Sequence, residues 1–269
     1  MIDKSYTKSF NGGTIPVLRS SIMLLPYLPE EFTAVVVGAS GGIGQAIIAA
    51  LSASSRPARI IAVSRSPLAF SDPRIEALTA DVSQESGRTA LKQHLDKQAV
   101  HLVFNAIGIL HHDAHGISPE KRMDDIDADH LARVIHINAA TPALLLAAIK
   151  HSLQGKHPVV IGSLSARVGS IGDNGFGGWY SYRASKAAHN MLMKTLSIEL
   201  KRLNKQSIVL SLHPGTTDTG LSKPFQGRVP EDKLFTPDFV AESLLNVMSQ
   251  RTPDDTGSFW DWAGEPIEW

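Results

Sequence analysis

Ala34-Val35-Val36-Val37-Gly38-Ala39-Ser40-Gly41-Gly42-Ile43-Gly44 is an apolar run that breaks into a glycine turn and continues as a helical pattern from Ile43 to Ser54. An apolar run without polar alternation marks a strand covered on both faces, as in a parallel sheet. The spacing Gly38-x3-Gly42-x-Gly44 puts residues without a β-carbon where a strand turns tightly into a helix and backbone must approach a ligand. The start of that helix offers free N–H groups and the positive end of the helix dipole, which suit a pyrophosphate. Glycine spacing alone is a weak signal, and the strand before it and the helix after it give it meaning. The expected ligand contacts are Gly38, Ser40, Gly42, Ile43 and Gly44.

The same alternation continues outward. Further apolar runs are Arg59 to Val63, Ala77 to Ala80, His101 to Phe104, Pro158 to Ile161 and Ser207 to Leu212. Helical patterns lie between them at Ser86 to Lys97, Ala128 to Leu153 and Ser181 to Leu203. Strand–helix alternation of this length predicts a doubly wound α/β fold, a parallel sheet between two layers of helices with right-handed crossovers. Nothing after Thr33 reads as a linker, so residues 32–269 form one expected domain. Met1 to Glu31 has no period and carries Asn11-Gly12-Gly13, Pro16, Pro26 and Pro29. It reads as an irregular N-terminal extension without function of its own.

Composition excludes several classes. Lys plus Arg and Asp plus Glu both number 26 in 269 residues, so the formal net charge is zero. A general nucleic-acid binder needs a surplus of cations to displace phosphate counterions, and none is present. The absence of cysteine removes disulfides, thiolate metal sites and thiol nucleophiles. No apolar run reads as a membrane span, and Ile22 to Leu28 is short and interrupted by Pro26, so neither a membrane partner nor a signal peptide is expected. A cytoplasmic location is expected.

Ligands of open α/β sheets bind at the carboxyl ends of the strands, and the residues there form a series. The second strand ends at Ser64-Arg65, where the adenosine ribose of a dinucleotide is expected. An acidic residue would accept from a 2′-hydroxyl, whereas Arg65 suits a 2′-phosphate, so NADP(H) is expected over NAD(H). Asp81-Val82 follow the third strand, where a carboxylate can accept from an adenine amino group. The fourth strand ends in Asn105-Ala106-Ile107-Gly108, with Asn105 able to link neighbouring loops and Gly108 leaving room for the cofactor.

The reacting group is expected in Ser181-Tyr182-Arg183-Ala184-Ser185-Lys186. Tyr182 and Lys186 lie four residues apart on one helix face. A nearby ammonium favours phenolate, and a tyrosine tuned in this way can exchange a proton with a carbonyl or alcohol oxygen. Tyr180 has Ala184 at the equivalent position and is the weaker candidate. Ser163, just past the fifth strand, offers a hydroxyl to polarise a carbonyl, with Ser165 as its competitor. Pro142 has no N–H, which frees the Asn138 carbonyl for a water and predicts a kink in the long helix. Pro214-Gly215 with Thr217 and Thr219 can supply hydroxyls and backbone donors to a carboxamide and a pyrophosphate.

Taken in order, Gly38-x3-Gly42-x-Gly44, Asn105-x2-Gly108, Asn138, Ser163, Tyr182-x3-Lys186 and Pro214-Gly215 resemble the short-chain dehydrogenase/reductases over Thr33 to Trp269. The resemblance implies a Rossmann fold, a nicotinamide cofactor, an Asn138–Ser163–Tyr182–Lys186 tetrad, and a homo-oligomer, dimer or tetramer. It makes Tyr182 the acid/base and Ser163 the polarising hydroxyl. Lys186 would also hold the nicotinamide ribose, and Asn138 a relay water. Pro119 to Arg122, Val168 to Ile171, Gly178 to Lys186 and Ser258 to Trp269 are similar to the C-factor and Sniffer-like carbonyl reductase branch. Three departures stand out: Val37 where the family often has threonine, the N-terminal extension, and a Ser163-to-Tyr182 interval of nineteen residues. The added residues, Asp173 to Trp179, are expected beside the site, shaping the substrate entrance or subunit packing.

The reading is an NADP(H)-dependent oxidoreductase moving hydride between nicotinamide and a small carbonyl or alcohol substrate. Its alternative is a nucleotide-binding regulatory or signalling protein of the C-factor type with little turnover. His111, His112 and His115 read as a solvated loop, not a metal site, because one spacing supplies too few ligands. Trp260, Trp262 and Trp269 are expected to bury apolar area against a neighbouring element or subunit.

Overall fold

Strand side chains point alternately to opposite faces, so a run apolar at every position needs a layer on each side. In the computed structural model, which describes residues 24–112 and 116–269, each run finds both layers. Strands β1 (Phe32–Val37), β2 (Pro57–Ser64), β3 (Ile75–Thr79), β4 (Leu102–Asn105), β5 (Val159–Leu164) and β6 (Ser207–His213) lie parallel. A two-stranded ribbon, β7 (Thr216–Thr217) with β8 (Leu234–Phe235), follows, and β9 (Ser258–Asp261) closes the main sheet. The sheet order β3-β2-β1-β4-β5-β6-β9 is that of a doubly wound Rossmann fold in a single domain. β9 was not foreseen: only Phe259 and Asp261 of its four residues are buried, so it lacks the continuous apolar signal.

The helices are α1 (Gly42–Ala53), α2 (Glu85–Leu95), α3 (Ala128–Ile135), α4 (Thr141–Ala148), α5 (Lys150–Leu153), α6 (Tyr180–Leu203) and α7 (Pro237–Ser249). Val36, Phe104 and Leu210 share one core with Ile47 of α1 and Leu244 of α7. Val35, Val103 and Val209 share the opposite core with Leu91 of α2, Leu145 of α4 and Met193 of α6.

The expected long helix from Ala128 to Leu153 is broken into pieces rather than simply kinked. Pro142 cannot donate to Asn138, and the chain answers with a π turn at His136–Ala140. Both the N–H and the hydroxyl of Thr141 donate to the His136 carbonyl, the latter at 2.9 Å. Ala128–Ala148 is the one helical run among the described residues long and apolar enough, by length and composition, to cross a membrane. Here it packs on α6, with Val134, Ala139 and Leu145 buried.

Residues 24–31 of the expected extension are built into the domain. Leu25 and Leu28 are buried in the α1/α7 core. The buried Arg56 guanidinium donates to the carbonyls of Leu24, Leu25 and Leu28 and pairs with Glu30 at 3.2 Å. The rest of that stretch, residues 1–23, lies outside the described residues.

Candidate active site

In register, Val37, Asn105, Ser163 and Ser211 lie side by side at the strand ends. The loops leaving these ends enclose a cavity of about 550 Å³ and a second of about 190 Å³ beside it. The larger is lined by Ser40, Gly42, Ile43, Gly44, Gly108, Tyr182, Lys186, Pro214, Gly215, Thr217 and Thr219. The smaller is lined by Gly38, Ser40, Ser64, Arg65, Asp81, Val82, Ala106 and Gly108. The expected cofactor contacts thus converge on two adjoining spaces, apart from Asn105, which works behind them.

The turn at Gly38 explains its glycines. Gly38 has φ +80°, and a β-carbon on Gly44 would stand 2.2 Å from the Gly38 carbonyl oxygen. That contact is impossible, so position 44 must be bare for α1 to start against β1. The helix then opens on Gly41 with no side-chain cap, leaving its first N–H groups for a ligand. At the far end, Arg65 makes no hydrogen bond or ion pair with the described residues and is exposed. One Asp81 oxygen, Oδ1, accepts from the Ser83 N–H at 3.0 Å and the Ser83 hydroxyl at 2.7 Å, while Oδ2 makes no hydrogen bond with the described residues.

Tyr182 and Lys186 are buried one helical turn apart on α6. Burial pushes the Tyr182 phenol above its ordinary value. The net direction is therefore upward, not the lowering expected from Lys186. Lys186 Nζ lies 5.8 Å from the tyrosine ring centroid and donates to the Leu164 carbonyl at 2.9 Å. Burial in turn lowers Lys186 to about 8.

Ser163 does not reach the cavity. It is 1% exposed, and Asn105, its register neighbour, donates from Nδ2 to its hydroxyl at 2.8 Å. The wall beside Tyr182 is made instead by Leu164, Ser165, Ala166 and Arg167. Ala166 packs on Tyr182, and the Ser165 hydroxyl donates to Asn190 Oδ1 at 2.6 Å. Of the two serines weighed, the competitor is the one at the cavity.

Asn138 is fully buried and holds the β4 loop: its Oδ1 accepts from Ile109 N and its Nδ2 donates to Ile109 O, each at 2.8 Å. Its carbonyl, expected free for a water, instead accepts from His189 Nδ1 at 3.1 Å. Burial, then the nearby Lys186 charge, hold His189 down to about 3, against the carbonyls of Asn138 and Ser163. His189 was missed. The signal was there: it lies three residues beyond Lys186, on the same helix face.

Glu120 was missed as well. Its carboxylate accepts from the Ser181 N–H at 3.1 Å and from the Ser181 hydroxyl, capping the helix that carries Tyr182. In the inserted segment, Gly177, Gly178 and Trp179 all have positive φ. That turn delivers the Trp179 ring to the cavity, 6.1 Å from Tyr182 and 5.4 Å from Phe225, while Phe176 stands 99% exposed. The C-terminal tryptophans pack within the chain: Trp260 under Arg251, Trp262 on Phe235, Trp269 on Phe259. His111 and His112 sit in the loop after β4, while His115 lies outside the described residues.

The short chain dehydrogenase profile matches residues 32–228, most of the domain. The chain belongs to that family. A 1-hydroxy-2-glutathionyl-2-methyl-3-butene dehydrogenase of Rhodococcus sp. (strain AD45) is 33% identical, over 88% of this chain and 99% of that protein. The C-signal of Myxococcus xanthus is 31% identical over 55% of this chain and 83% of its own length. Among solved structures, the NADPH-bound carbonyl reductase from chicken fatty liver superposes with TM-score 0.78 at 24% identity, covering 90% of this chain and all of that one, a likeness of fold. A short-chain dehydrogenase takes a nicotinamide cofactor, and the residues here fit one. Glycines whose positions leave no room for a β-carbon, uncapped amides at the start of α1 and an Arg65 without a partner among the described residues line the two adjoining cavities.

Proposed function

We propose that this short-chain dehydrogenase is an NADP(H)-dependent carbonyl reductase in which Tyr182 is the proton donor. The observation that carries this reading is the placement of Tyr182 and Lys186 in the cavity that also contains the glycine turn. The relatives' names support it, as they describe a dehydrogenase and a carbonyl reductase. Bound NADP(H) would supply the hydride. The α1 amides and Thr219 would hold its pyrophosphate, Arg65 with Ser64 its 2′-phosphate, Asp81 its adenine, and Lys186 its nicotinamide ribose.

The chain's own residues carry the proton. Burial keeps Tyr182 protonated at neutral pH, as an acid for carbonyl reduction must be. Lys186 stabilises the phenolate that donation leaves behind. Asn138 and His189 fix the loop and helix that hold these two in place. Polarisation of the carbonyl falls to Tyr182, because the Ser165 proton is engaged by Asn190 and Ser163 is behind the wall. The zero net charge and lack of cysteine support a cytoplasmic enzyme without a nucleic-acid partner.

The test is a panel of aldehydes and ketones with NADPH and NADH. Turnover with NADPH is expected, and Tyr182→Phe should lower kcat by about 10³-fold while cofactor affinity stays within a few fold. Full activity in that variant would remove Tyr182 from the chemistry. Cofactor binding without turnover would favour a regulatory role. Arg65→Ala should weaken NADPH by about 10- to 100-fold, the worth of one charge-assisted contact, and leave NADH unaffected.

A further inference from the structure

Around Tyr182 the larger cavity is lined by apolar Val168, Trp179, Leu221 and Phe225 and by one arginine, Arg167. Arg167 follows Ala166, which packs on Tyr182, and lines the same cavity. Its Nη2 meets Asp261 Oδ2 at 3.2 Å, while Nε and Nη1 make no hydrogen bond with the described residues. The side chain is 43% exposed. The contact is one-pronged, because Asp261 Oδ1 is taken by the N–H groups of Ala263 at 2.9 Å and Glu265 at 3.0 Å, which leaves part of the guanidinium fork for another acceptor.

Two further features suit this end of the cavity to an anion. Among the described residues no carboxylate lines the cavity, and its other cation, Lys186, is engaged by the Leu164 carbonyl. The His213 ring, also on the wall, has a buried Nδ1 without a partner among the described residues. Burial, then the charge of Arg167, hold His213 down to about 4, so it is neutral at physiological pH and one ring nitrogen is an N–H donor.

We infer that Arg167, with His213 beside it, selects carbonyl substrates bearing a carboxylate at the end remote from the carbonyl. The planar guanidinium matches a carboxylate in two-point geometry, and the aromatic wall covers the body between the two groups. This inference rests on the carbonyl reductase reading above.

The experiment compares benzaldehyde with 4-carboxybenzaldehyde, reduced with NADPH by the full-length protein. The wild type should favour the carboxylate in kcat/KM by about tenfold or more, the worth of one charge-assisted pair. Arg167→Met should bring the ratio close to one, mainly through KM. Arg167→Lys, which keeps the charge and loses the fork, should fall between. Asp261→Asn retains Oδ1 for Ala263 and Glu265 but releases the guanidinium, so the ratio should rise. Equal use of both aldehydes by the wild type, or a ratio indifferent to residue 167, would overturn the inference. If neither aldehyde turns over, calorimetry of the NADP-loaded protein with terephthalate separates the two readings. Binding that Arg167→Met abolishes keeps the anion site and rejects the reductase, and no binding rejects the anion site.

Discussion

At the scale of single residues, Ser163 shows how a strand end can mislead. It was expected just past the fifth strand but lies within it, and the direction of its hydroxyl was not legible, because that depends on Asn105 across the sheet. Ser163→Ala is therefore expected to lower stability by about 1–3 kcal/mol, the cost of leaving the Asn105 amide unsatisfied. Its kcat should change by less than about threefold, against the 10²–10⁴ of a proton-transfer group; denaturant titration and kinetics on the same sample separate the two. Lys186 makes a prediction about pH. Its value is depressed to about 8, so the cation is lost as pH rises through that point, while Tyr182 remains protonated well beyond it. Reduction should hold constant near neutrality and decline above about pH 8 in a kcat/KM profile, since phenolate without its ammonium is a poorer leaving base. A profile flat to pH 10 would free Lys186 of this role.

Among the elements, α1 and α6 differ in how openly the sequence declares them. The α1 start is written in glycines, whose necessity is local, and the fold class followed from it. The same was true of the strand ends bearing Arg65, Asp81 and Gly108, which face the cavities as a doubly wound sheet requires. The start of α6 is not local: its cap, Glu120, comes from 61 residues earlier in the chain. No short-range capping pattern could reveal it. Glu120→Ala should cost about 1–2 kcal/mol, as loss of a helix cap does. It should also lower kcat, because Tyr182 lies in the first turn that Glu120 secures. Glu120→Gln, which keeps an acceptor, should recover most of both.

At the scale of the molecule, the two histidines that the cavity wall and α6 bury make a statement about acid stability. His189 and His213 are held to about 3 and about 4, below the ordinary 6.5, so the unfolded chain binds their protons first. Stability is complete above about pH 6.5 and is lost as pH falls toward those values, each group contributing about 1.4 kcal/mol per pH unit in the interval. The melting temperature should fall between pH 6.5 and 4, and His189→Leu should reduce that dependence. The segment 24–31 belongs to the same scale. Its irregular sequence gave no sign of the core, because burial of Leu25 and Leu28 depends on Arg56 collecting their carbonyls.

The edge strand β9 also bears on the order in which the site matures. A domain folds as a unit. The phosphate turn, Arg65, Tyr182 and Lys186 all precede residue 190, whereas Asp261, the counter-ion of Arg167, is added within the last nine residues. A nascent chain that already holds those residues therefore still lacks β9, the strand that closes the sheet and carries the partner of Arg167. The site is finished only once this last strand has been made.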